Sequence, residues 1–98
     1  MPARDFAYAV SLRLLRDRDG QTPSEPRELQ FEHRNHDDLF VIVERVRASA
    51  GLAPDDAAAT AVGLKLLSEV MLREKRNPLF DPLREGIGKF IVALKSRS

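Results

Sequence analysis

The sequence predicts an α+β fold in which an N-terminal antiparallel β-hairpin precedes three α-helices, in the order ββααα, arranged as two layers. Two early segments alternate apolar and polar residues, three later segments carry apolar residues at helical spacing, and turn or cap residues separate all five. We expect one domain over residues 1–98, with the hairpin at about 5–34 and helices at about 36–50, 54–76 and 82–95.

The hairpin is predicted from two alternating runs. Every second residue of the first run is apolar, namely Phe6, Tyr8, Val10, Leu12 and Leu14. In the second run Leu29, Phe31 and His33 share a face. About ten residues containing Gly20, Pro23 and Pro26 join the runs, which favours antiparallel pairing. We expect the helices to cover the apolar face of this hairpin.

Cap residues set the expected helix bounds. Asn35 is expected to cap the first helix, with Asp38 reaching back to it, and Gly51 to end it. Pro54 suits the first position of the second helix, and Asn77-Pro78 ends it.

The third helix is expected to begin at Asp81-Pro82. Its apolar residues share one face: Leu83, Ile87, Phe90, Ile91 and Leu94. Glycine inside a helix costs about 1 kcal/mol relative to alanine. We therefore expect another element to approach closely at Gly63, Gly86 and Gly88.

Composition excludes several classes of function. The chain has no cysteine, which excludes disulfides, thiolate metal sites and a cysteine nucleophile. Its net charge of +1 gives no global attraction for a polyanion. The N-terminal residues lack the pattern of a secretory signal, and no apolar run approaches the roughly 18 residues of a membrane span. A cytoplasmic location is expected, without membrane contact.

Two segments carry a family resemblance. The runs NHDDLFVIVERVR (Asn35 to Arg47) and GLKLLSEVMLREKRNPLFDPL (Gly63 to Leu83) resemble small bacterial proteins grouped as "domain of unknown function 3861". With the preceding hairpin, the resemblance covers nearly the whole chain. It implies a bacterial cytosolic protein of this fold, and it brings no activity and no functional residues.

One cluster has the chemistry of metal ligands: His33, His36, Asp37 and Asp38. Its spacing does not match a helical HExxH site, because the chain reverses at Asn35 between the two histidines. Capping by the carboxylates and a half-buried His33 are the preferred interpretation. We expect no metal, no cofactor and no catalytic residue, since no nucleophile elbow or phosphate loop is present, and hence no enzyme.

Two functions remain open. The first is a non-catalytic interaction or regulatory module that forms a homodimer, with an unidentified protein partner also possible. The edge of the first strand is little protected, and its small residues Ala7, Ala9 and Ser11 permit close approach of a second copy. Val41 and Val92 on the helices offer a second surface through which a dimer can form. The alternative is a DNA-binding regulator of the ribbon-helix-helix type. Nucleic acid is not expected as a partner, because two of four outward residues on the second strand are acidic.

Overall fold

The computed structural model describes residues 4–97. Its strands and helices are β1 (Phe6–Arg13), β2 (Glu28–Asn35), α1 (Leu39–Ser49), α2 (Pro54–Arg73), a short 3-10 helix (Pro78–Phe80) and α3 (Asp81–Lys95). The α+β class and the ββααα order are confirmed. The chain divides into two compact units, a hairpin unit that ends at His36 and a helical unit that begins at Asp37.

In the hairpin unit, β1 and β2 pair antiparallel in one register. Tyr8 lies opposite His33, and Leu12 lies opposite Leu29. Because residues directly opposite each other share a face, the predicted apolar face exists as a continuous strip. The connecting loop is fixed by Asp17, whose Oδ1 accepts hydrogen bonds of 2.9 Å from the backbone N–H groups of Asp19 and Gln21.

In the helical unit, α1 and α2 form the core. Val46, Ala57 and Ala61 are almost fully buried there. Four half-buried residues surround them: Ile42, Val43, Ala50 and Leu94. Two alanines at the centre allow the backbones of α1 and α2 to come close, and Leu94 is the contribution of α3 to this cluster.

The start of α1 differs from the prediction. Asn35 is the last residue of β2 and is fully buried, and its side-chain nitrogen lies 3.2 Å from His33 Nε2. Asp38 caps α1 instead, since its Oδ1 accepts from the backbone N–H of Phe40 at 3.0 Å. The predicted cap at Asn35 is wrong because strand pairing with Phe6 continues through that residue.

The turn between α2 and α3 is held by an arginine. Arg84 of α3 donates to the backbone carbonyl oxygens of Met71, Glu74 and Asn77, at 3.3, 2.8 and 3.2 Å. The carbonyls of Glu74 and Asn77 also accept from the backbone N–H groups of Asn77 and Phe80, so the guanidinium adds a second donor there and links α3 to the end of α2. At the other end of α3, Arg97 Nε donates to the carbonyl of Ser49 at 3.3 Å.

The predicted close approach at three helical glycines is wrong. A Cβ atom built at Gly63, Gly86 or Gly88 would meet no other atom of the chain within 4 Å. All three positions are exposed. Nothing within the described residues compensates for their low helix propensity.

Candidate functional site

The four candidate metal ligands have different local partners. His33 is buried on β2 beside Asn35, and His36 is exposed just after the strand. Asp37 forms an ion pair of 2.5 Å with Lys65 of α2, and Asp38 caps α1. Each carboxylate therefore has a structural role within the helical unit.

No metal centre emerges from these positions. Among residues 4–97, no three histidine, cysteine, aspartate or glutamate side chains lie close enough together to hold a metal ion. The sequence brings the four candidates near each other along the chain, but strand geometry and helix capping direct their side chains to other partners.

A shallow hollow of about 370 Å³ lies on the hairpin and opens widely to solvent. It is lined by Ala7, Tyr8, Ala9, Gln30, Phe31 and Glu32. The alanines leave space, while Gln30 and Glu32 supply an amide and a carboxylate. Glu32 is the one carboxylate on this lining.

Exposed apolar side chains are the most prominent surface feature. On the hairpin, the half of the apolar face nearest the loop stays exposed, including Leu12 at 67% and Leu29 at 55%. We expected this half to be covered. On α3, Leu83 and Phe90 are each 43% exposed, and no residue of that helix is buried.

Other large apolar side chains of the helical unit are still more exposed, with Phe40 at 75%, Leu79 at 72% and Val92 at 68%. Large exposed apolar areas on small proteins mark interaction sites.

Across the described part of the chain, every helix is too short or too polar to cross a bilayer.

The chain is thus a small α+β protein with exposed apolar side chains and, among residues 4–97, no group of three side chains placed to hold a metal ion. Residues 6–96 match the model of a family described as a domain of unknown function with a solved structure, DUF3861. The chain belongs to this family, and the predicted resemblance is confirmed.

A solved structure supports the same fold. The chain is similar to a crystallised protein of unknown function from Pectobacterium atrosepticum SCRI1043, with 30% sequence identity and a TM-score of 0.79. The likeness covers 94% of this chain and 98% of that protein. No curated protein is detectably similar.

Proposed function

We propose that this protein is a non-catalytic interaction or regulatory module of the bacterial cytoplasm, and that it acts as a homodimer. One observation carries the proposal: large apolar side chains are exposed within each unit, with Leu12 at 67% in the hairpin unit and Leu79 at 72% in the helical unit. Exposed apolar patches on small proteins mark interaction sites.

The chemistry of these exposed side chains supports the same proposal. They are mostly leucine, phenylalanine and valine. Burying such groups stabilises an interface by roughly 25 cal/mol per Å² before association costs are subtracted. Twofold dimers are the commonest oligomers of soluble proteins, since one self-complementary patch is sufficient to close them.

Light scattering coupled to gel filtration tests the proposal. We expect a mass near twice 11.0 kDa that persists on dilution through the micromolar range. A mass near 11.0 kDa at every concentration would contradict it. The bacterial cytoplasmic location is tested separately, by fractionating cells that express the untagged protein.

Specific DNA binding is the less supported alternative. The outward face of β2 carries Glu28 and Glu32, and carboxylates there repel phosphates. β1 also pairs with β2 inside one chain, whereas ribbon-helix-helix dimers pair strands between chains. A labelled duplex pool should show no retained complex at physiological salt. Sequence-selective binding at nanomolar protein would favour the regulator instead.

A further inference from the structure

The exposed side of α3 has the spacing of a helix-pairing seam. Leu83, Gly86, Phe90 and Ala93 follow one another at intervals of three, four and three residues. This is the interval of the a and d positions that meet in paired helices. All four residues are exposed, and we call them the α3 seam.

The seam is distinct from the side of α3 that faces its own unit. Ile87, Ile91 and Leu94 are half-buried, and Leu94 contacts the α1–α2 core. Arg84 and Arg97 fix the two ends of the helix to backbone carbonyls. Within the helical unit, these contacts hold α3 with its seam turned outward.

Side-chain sizes along the seam alternate in a self-complementary way. The order is large, small, large, small, as read from Leu83 to Ala93. If a second α3 lies antiparallel with its midpoint at the level of Gly88, Leu83 meets the second copy's Ala93 and Phe90 meets its Gly86. Each large side chain then faces a small one, as close packing of helices requires.

Two further observations support this arrangement. A Cβ atom at Gly86 would meet no atom within 4 Å apart from the adjoining backbone of its own helix, so the space beside it is open to a group from outside. No charged residue interrupts the seam, because Glu85 and Lys89 lie off it and pair with each other at 3.0 Å.

We propose that the α3 seam is the centre of the homodimer interface, where it pairs antiparallel with the same seam of a second copy about a twofold axis that crosses the seam at the level of Gly88. This proposal rests on the proposed function and identifies the surface through which the homodimer forms. It also explains Gly86, whose cost to helix stability is offset by close approach of the partner's Phe90.

Two substitutions on the same helix test the surface. Phe90→Glu places a charge in the seam, while Val92→Glu places one at a residue that is 68% exposed but lies off the seam. Because Phe90 is the largest seam residue, we expect Phe90→Glu to raise the dimer dissociation constant by at least about tenfold. Val92→Glu should behave like the unmodified protein. Sedimentation equilibrium measures the constants, and circular dichroism checks that both variants fold.

Cysteine cross-linking tests the direction of pairing, and the absence of natural cysteine makes the readout clean. Leu83→Cys and Ala93→Cys should each remain uncross-linked alone, and should form a disulfide-linked dimer when the two variants are mixed under oxidising conditions. Within one helix these positions lie about 15 Å apart, so they cannot join intramolecularly. Cross-linking of each single variant with itself would indicate parallel pairing and overturn the proposed geometry.

The outcomes separate this inference from the proposed function. An unmodified protein that is monomeric throughout contradicts both. If the dimer dissociation constant is unchanged in Phe90→Glu, only the proposed interface at the α3 seam is contradicted. The interface would then lie at the edge of β1 or on the exposed half of the hairpin face.

Discussion

The helical unit attaches its helices in two different ways. α1 and α2 meet through side chains that are almost fully buried, with Val46 at 3% exposure and Ala57 at 0%. α3 contributes no buried residue and is held at its ends by Arg84 and Arg97, which donate to backbone carbonyls. Apolar burial fixes the first pair, whereas hydrogen bonds and the half-buried Leu94 position the third helix, and Leu83 and Phe90 stay exposed.

A charge placed in the α1–α2 core gives the strongest test of this difference in how the helices are attached. Val46→Asp should lower the free energy of unfolding by several kcal/mol, since a buried carboxylate without a partner is strongly disfavoured. Val41→Asp, on the same helix at 43% exposure, is the matched control and should change stability by less than about 0.5 kcal/mol. Urea denaturation measures both. Equal losses in the two variants would mean that this core does not dominate stability.

Removing the arginine that holds α3 should have a smaller effect. Arg84→Met preserves much of the side-chain length but leaves the carbonyls of Met71, Glu74 and Asn77 without this donor. We expect a loss of about 1–2 kcal/mol, because charged donors make stronger hydrogen bonds but this one is partly exposed. Lys89→Met, which breaks only an exposed ion pair, serves as the control. If both variants lose the same stability, the arginine does not secure the turn.

Replacing the glycine of α2 should raise the stability of the protein, in contrast to the two substitutions above. Gly63→Ala is expected to stabilise the protein by about 0.5–1 kcal/mol, since the added methyl group meets nothing and improves helix propensity. Gly51→Ala is the informative comparison, because Gly51 has a φ of +72° after α1 and alanine is strained there. Thermal unfolding should show opposite shifts. Destabilisation by Gly63→Ala would reveal a neighbour at that position in the assembled protein.

Chelation should have the smallest effect of all. Asp37 and Asp38 already bind Lys65 and the backbone of α1, so we expect thermal unfolding curves with and without a chelator to superimpose. A melting temperature lowered by several degrees would show that a metal stabilises the native state.

Local patterns predicted the elements well. The strict alternation from Phe6 to Leu12 predicted the strand β1, and Pro54 and Pro82 marked helix starts near their observed positions. These signals depend on neighbours along the chain. Asn35 failed because an asparagine can either cap a helix or fill a buried strand position, and the choice depends on its pairing with Phe6.

Burial was harder to predict than secondary structure. The sequence pattern around an apolar residue such as Leu12 or Phe90 is the same whether that residue is buried by its own chain or by another molecule. The exposure of these side chains was therefore not predicted. The prediction of close approach at the helical glycines failed for a related reason. A glycine inside a helix indicates a close neighbour but does not show whether that neighbour belongs to the same chain. The metal candidates were named from the sequence, but their separate partners depend on three-dimensional geometry.

The attachment of α3 has a consequence for local unfolding. Detaching this helix requires breaking a few hydrogen bonds to carbonyls that water can then satisfy, and it uncovers the half-buried Ile87, Ile91 and Leu94. We therefore expect the amide hydrogens of α3 to exchange with solvent before those of α2. Any partner that covers α3 slows this exchange, so the protection of its amides reports directly on whether the protein is bound.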